Sequence, residues 1–169
     1  MKVFPISRLL PVAEVPDRGR HVELEADAAE RAALAELFRV PAVTALAARL
    51  DVTPWRGDGV RVRGRVTGAV EQTCVVTLDP VVQPIDEAID VRLEPEAPAR
   101  GGRRGGDAVD REVVVDPLGE DPPETFAGGR VDLGAIAREH FALDMAPYPR
   151  APGAVFEDVI EDADDGDAG

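Results

Sequence analysis

Three arginines, Arg61, Arg63 and Arg65, alternate with Val60, Val62, Gly64 and Val66. On an extended strand they share one face with neighbours about 6–7 Å apart, a spacing that suits phosphates of an RNA backbone or the carboxylates of an acidic partner. The same spacing suits cross-strand pairing with the outward-facing Asp86 and Asp90 of a neighbouring strand. That plainer reading is preferred, because paired charges on a solvated sheet face are common. A second basic group, Arg100, Arg103 and Arg104, sits among glycines and is similar to flexible Arg/Gly segments that touch RNA. A drifting low-complexity insert is the simpler account, since three arginines release few counterions at cellular salt. The opposite charge collects at the far end. Residues 151–169 hold Glu157, Asp158, Glu161, Asp162, Asp164, Asp165 and Asp167 with no Lys or Arg, half of the net charge of −14. Such a run serves either as an interaction tail for a basic partner or as a solubilising tail.

Nucleophilic and metal chemistry find little support. Cys74, the only cysteine, shares a strand phase with Val70, Val76 and Leu78 and reads as a small buried hydrophobe. A nucleophile would need an exposed thiolate and a neighbouring base, and the two histidines, His21 and His140, are far from it in sequence. A single cysteine excludes an internal disulfide and a multi-cysteine zinc site. Ser7 has no nucleophile-elbow context, and no Lys-Ser/Thr follows Gly64 and Gly68 to make a phosphate loop. No catalytic, metal or cofactor-binding residue is assigned, no cofactor is expected, and the chain is not expected to be an enzyme.

The charge of −14 sets the partners. Bulk nucleic acid repels such a chain unless it meets a local basic patch, so DNA is not expected and basic proteins are the natural counterparts. No apolar run approaches membrane-spanning length, and the first residues lack the apolar core of a signal peptide; the expected location is the cytoplasm, with no membrane partner.

These groups must be positioned by elements that the periodicity suggests. A first edge strand is expected over residues 3–10, and a second over 21–26. Asp27 caps a helix over 28–38, with Glu30 in capping-box position and Leu34, Leu37 and Phe38 on one face; Pro41 ends it. Leu46, Ala48, Leu50 and Val52 alternate on a strand that turns at 54–59. Residues 59–78 form one long bent strand, or two broken near Gly68, and Ile85, Glu87, Ile89, Val91 and Leu93 mark another. A short strand is expected at 112–115 and a connector over 116–129. Asp132 caps a second helix with Leu133, Ile136, Ala137, His140 and Phe141 at helical spacing, His140 at the edge of the apolar face. The domain reading is a single unit over 1–153, with a flexible Gly/Arg/Pro-rich loop at about 95–110 and a disordered acidic tail over 154–169.

Cys74-Val75-Val76-Thr77-Leu78-Asp79-Pro80, followed by Val131-Asp132-Leu133-Gly134 and Tyr148-Pro149-Arg150-Ala151-Pro152, resembles the YceD family, linked to accumulation of large-subunit ribosomal RNA in bacteria. The resemblance runs from about Val22 to Pro152. Many YceD relatives carry a second cysteine soon after the one matching Cys74 and a further cluster near the C-terminal end. Thr77 or a neighbour and the stretch 149–153 stand there instead, so metal binding does not transfer. The chain looks like a cysteine-poor, alphaproteobacterial-like branch.

The resemblance implies a role in ribosome biogenesis. Family genes often sit beside a large-subunit ribosomal protein gene, which fits a basic-protein partner. The expected architecture is α+β: a mostly antiparallel, strongly curled or barrel-like sheet packed with two main helices. The expected function is a non-enzymatic factor supporting large-subunit rRNA accumulation, binding a basic large-subunit ribosomal protein or precursor particle through carboxylates such as Glu157, Asp158, Glu161, Asp162, Asp164 and Asp165. Arg61, Arg63, Arg65, Arg100, Arg103 and Arg104 are the candidates for local rRNA contact. The alternative is a protein-interaction adaptor that does not act directly on the ribosome.

Overall fold

A computed structural model of the chain describes residues 5–96 and 122–151. The order is β1 (Leu9–Pro11), a 3-10 turn (Val12–Glu14), β2 (Arg20–Glu25), α1 (Ala28–Phe38), β3 (Ala42–Trp55), β4 (Gly59–Thr73), β5 (Pro80–Pro95), β6 (Glu124–Phe126), β7 (Arg130–Asp132) and α2 (Leu133–Leu143). Strands β2-β3-β4-β5-β6 form one sheet in that order, and β1 pairs with β7 in a second, two-stranded one. The inward residues of the long strands, among them Leu46, Leu50, Val52, Val60, Val62, Val66, Val70, Ile85 and Ile89, are buried. Both helices cover this face and meet where Phe38 stacks on Phe141, with ring centroids 6.0 Å apart. Gly68 makes room for that contact: a Cβ there would lie 2.8 Å from Phe141 Cε2 and 2.1 Å from the Ala45 carbonyl oxygen.

The architecture is α+β with two helices, but the expected sheet is corrected on two counts. It is mixed, because β5 and β6 run parallel, and it is open, because β2 and β6 are separate edges. Closure into a barrel would require those edges to pair. Alternating apolar residues report one buried face; they carry no information about strand direction or edge pairing.

Local chemistry explains the element ends. The Asp27 side chain accepts from the Glu30 N–H at 2.8 Å, and Glu30 accepts from the Asp27 N–H at 2.9 Å. This is the expected capping box. Helix α1 ends in Arg39, which adopts a left-handed conformation (φ 56°) while its N–H reaches Ala35 and Glu36. Asp132 caps α2 through the Ala135 N–H and also accepts from Ser7 Oγ and the Arg8 N–H. Arg8 in turn grips Glu30 at 2.6 and 3.0 Å, so one N-terminal segment joins the starts of both helices.

Other expectations shift. Of the described part of 3–10 only Leu9 and Leu10 are in a strand, β1, which runs on to Pro11. Leu37 is 52% exposed, and Ala35 joins Leu34 in the core instead. Gly68 lies inside an unbroken β4, which stops at Thr73, and the next residues form a turn. The connector expected over 116–129 contains β6. The strand expected at 112–115, the tail at 154–169 and nearly all of the loop at about 95–110 lie outside the described residues.

Candidate functional site

Alternation turns the charged residues of β3, β4 and β5, Glu87 excepted, onto the sheet face opposite the helices. Asp51, Arg63 and Asp90 stand in one cross-strand row, continued by His21 on β2. Arg61 holds Asp90 with both ends of its guanidinium, Nε to Oδ1 at 2.9 Å and Nη2 to Oδ2 at 2.8 Å. Arg63 approaches the same carboxylate at 3.7 Å, and Arg65 donates to Asp86. The hydrogen bonds from Arg61 lead in lowering the pKa of Asp90, and the one to Asp86 leads in raising that of Arg65. His21 lies 2.8 Å from Asp51 and 3.4 Å from Glu23, and these carboxylates raise its pKa, Asp51 most. Trp55 marks one end of the face, with Arg56 5.0 Å and Arg92 5.8 Å from its ring centre. The arginine stripe is therefore brought together as expected, and its partners are the carboxylates of β5.

The opposite end of the sheet holds an arrangement that sequence reasoning missed. After α2 the chain runs back across the β4–β5 hairpin as a strap, residues 144–151. Gln72 Nε2 donates to the Ala146 carbonyl at 3.1 Å, Gln83 Nε2 to the Asp144 carbonyl at 2.8 Å, and the Ala146 N–H to Gln83 Oε1 at 2.8 Å. The Asp86 N–H reaches Asp144 Oδ2 at 2.9 Å, and the Val75 N–H reaches the Pro149 carbonyl at 3.0 Å. Gln72 Oε1 is buried without a hydrogen-bond partner among the described residues.

Cys74 completes the clasp. It is fully buried, yet it lies outside the apolar cluster that fills the core. Its Sγ accepts the N–H groups of Val76 and Thr77, both at 3.4 Å, and of Ala151 at 3.3 Å. The Thr77 hydroxyl and then the Ala151 N–H lead in lowering the thiol pKa to about 6. The reading of Cys74 as an ordinary hydrophobe in phase with Val76 and Leu78 is corrected: the strand has ended, Leu78 points into solvent, and the sulfur is a hydrogen-bond acceptor. Only the spacing of Cys74 and Thr77 hinted at this.

The clasp organises structure; it does not present a nucleophile, because the sulfur has no accessible surface. His21 lies on the solvated face, in the row of Arg63, and Arg63 is eleven residues along the chain from Cys74, a separation of about 35 Å for an extended strand. His140, half-buried at the edge of α2, has Nδ1 2.9 Å from the Ile136 carbonyl oxygen of its own helix. Among the described residues no group of three or more His, Cys, Asp or Glu is placed to hold a metal ion, and no helix is long and apolar enough to cross a membrane. Arg100, Arg103, Arg104, Glu157, Asp158, Glu161, Asp162, Asp164 and Asp165 lie outside the described residues.

Fold and site together define a small α+β domain whose exposed sheet face is laced with ion pairs and whose C-terminal segment is clasped to a hairpin. The chain belongs to the YceD family: the model of that family, described as large ribosomal RNA subunit accumulation protein YceD, matches residues 62–167. The match starts in β4 and covers the clasp, the strap and most of the acidic run. No curated protein and no solved structure matches the chain. The family description places this chain among factors for accumulation of the large-subunit ribosomal RNA.

Proposed function

We propose that this chain supports large-subunit rRNA accumulation as a non-enzymatic cytoplasmic binding factor. It holds a basic large-subunit ribosomal protein, or a precursor particle that displays one, against its acidic surface. The observation that carries this reading is the state of the arginine stripe. Arg61, Arg63 and Arg65 rest on Asp90 and Asp86, so RNA would have to displace carboxylates already in place, while the net charge of −14 favours a basic partner at long range. Local rRNA contact falls to Arg100, Arg103 and Arg104, or to the stripe once its pairs open.

A salt titration tests this. Full-length chain, and a variant with the seven carboxylates of residues 157–167 changed to amides, are titrated against purified large-subunit proteins and against naked large-subunit rRNA. Salt-sensitive binding to a basic protein that weakens in the amide variant is expected. Binding to rRNA alone would overturn the reading. A partner unrelated to the ribosome that survives nuclease treatment and high salt would replace it with the adaptor role.

A further inference from the structure

The end of the sheet opposite the clasp holds a groove of about 870 Å³, a volume in the range of ligand clefts. Three parts of the chain wall it: the segment after β1, the β3–β4 turn, and the neighbouring ends of β5 and β6. Val60 and Phe126 are buried in its floor, and Val12 and Val15 are half-buried at its side. The walls are tied to one another. The Val12 N–H reaches the Gly129 carbonyl at 2.9 Å, and the Glu96 N–H reaches the Phe126 carbonyl at 2.8 Å. Gly57, Gly128 and Gly129 take left-handed conformations, with φ of 66°, 69° and 67°, and a Cβ on any of them would meet nothing within 4 Å. Bare backbone at these turns therefore keeps the groove open, and it is formed before anything enters it.

Charge says what enters. Asp17, Asp58 and Glu96 line the groove, and no Lys or Arg does so among the described residues. Arg56, beside Gly57 in the chain, is turned onto the Trp55 ring instead. Unlike Asp86 and Asp90, the three groove carboxylates hold no ion pair or side-chain hydrogen bond among the described residues. Phosphates are repelled by such a rim. A second copy docking through the same groove would bring two sets of carboxylates together, because a two-fold interface apposes like with like. The carboxylates also come from three separate segments, so a lone ammonium ion leaves most of the charge unanswered. An extended segment with Lys or Arg on either side of an apolar side chain meets the rim and fills the floor at once.

We infer that this groove is the docking site for a partner-protein segment in which an apolar side chain is flanked by Lys or Arg. The inference rests on the basic-partner reading above and deepens it by placing the contact on Asp17, Asp58 and Glu96 around Val60 and Phe126. Affinity then has a salt-sensitive part from the carboxylates and a salt-insensitive part from the apolar floor.

The test uses the full chain and, as probe, the protein mixture extracted from large ribosomal subunits and freed of rRNA. The basic protein that the unaltered chain retains is titrated at low and high salt against the unaltered chain and three variants. One carries Asp17→Asn, Asp58→Asn and Glu96→Gln. One carries Ala13→Trp and Ala127→Trp, which fill the groove from two walls. The third, a control, carries Glu36→Gln, Asp79→Asn and Glu139→Gln, the same change in net charge at positions that do not line the groove. Every altered side chain is exposed, so the thermal midpoints should stay close to that of the unaltered chain. The groove amides are expected to lose about tenfold in affinity at low salt and to flatten the salt dependence. The filled groove is expected to lose about tenfold at both salts, and the control to change little. If the basic protein binds all four forms alike, this groove is overturned while the basic-partner reading stands. If the unaltered chain retains no basic protein, that reading fails and this one with it. If the filled variant alone melts early, part of this chain already lies in the groove and the inference is wrong. A dimer in sedimentation that the filled variant abolishes would make the occupant a second copy and overturn it as well.

Discussion

Neutralising the two carboxylates that face the arginine stripe should raise the affinity of this face for RNA. Asp90 receives Arg61 through two hydrogen bonds and lies 3.7 Å from Arg63, and Asp86 receives Arg65. The variant Asp86→Asn with Asp90→Asn removes the two carboxylates of β5 that these arginines hold. Asp86, Asp90, Arg63 and Arg65 are exposed and Arg61 is half-buried, so the pairs add little to folding, and the variant should fold with a thermal midpoint within a few degrees of the native one. Each arginine that moves to a phosphate of single-stranded RNA contributes about −0.7 to the slope of log K against log salt. Three give roughly −2, so a fourfold rise in salt costs about twentyfold in affinity. Fluorescence anisotropy of a labelled single-stranded rRNA fragment measures this directly. A control carrying Glu36→Gln and Glu139→Gln, exposed positions on the helical layer, matches the change in net charge and should gain nothing. Two results would refute the reasoning. One is a native chain that already binds with a slope near −2 and loses it in Arg61→Gln with Arg65→Gln. The other is a double Asp variant that binds no better than the control.

Phe141→Ala should destabilise the fold by about 3–5 kcal/mol, since the ring is fully buried and stacked on Phe38; Gly68→Ala should also destabilise, because its Cβ would meet the Ala45 carbonyl at 2.1 Å. Urea unfolding followed through Trp55, the only tryptophan, reads both. Cys74 has its pKa lowered to about 6 in the folded chain, so the unfolded chain binds the extra proton between that value and the ordinary thiol value of about 8.5. Stability should therefore fall as pH drops through this window and level off below it, and the difference from Cys74→Ala measured across the same pH range should show that step; a flat difference would mean that the sulfur is not held as an anion. Arg39→Gly should raise stability by about 0.5–1 kcal/mol, because the left-handed C-terminal position of α1 disfavours a side chain, and a lower thermal midpoint would contradict it.

How far the residues announce the structure depends on how local the cause is. Helix α1 is legible to its end residues because its cap is three residues long and self-contained, Asp27 answering Glu30. The buried faces of β3, β4 and β5 are legible because alternation is a property of each strand alone. Strand β6 is not: three residues whose pairing with β5 is parallel leave no periodic trace. Gly68 suggested a break when read along the chain, yet its function is to admit Phe141, seventy-three residues later. The clasp was illegible for the same reason, since Cys74 meets Ala151 and Gln72 meets Ala146 only after the fold has formed. The arginine stripe was legible in both of its readings, and only the cross-strand register shows which carboxylates it meets.

The parallel pairing of β5 with β6 has a practical consequence for the stretch between them. Leu93 pairs with Glu124, and the Glu96 N–H reaches the Phe126 carbonyl at 2.8 Å, so the chain leaves and re-enters the sheet at neighbouring points. The excursion is sealed at its base. A flexible insert closed by such a base costs little, about 0.6 kcal/mol for each doubling of its length. That makes the stretch between β5 and β6 the place to insert an epitope or a fluorescent reporter domain, because both ends of the insert are anchored at the end of β5 opposite the clasp.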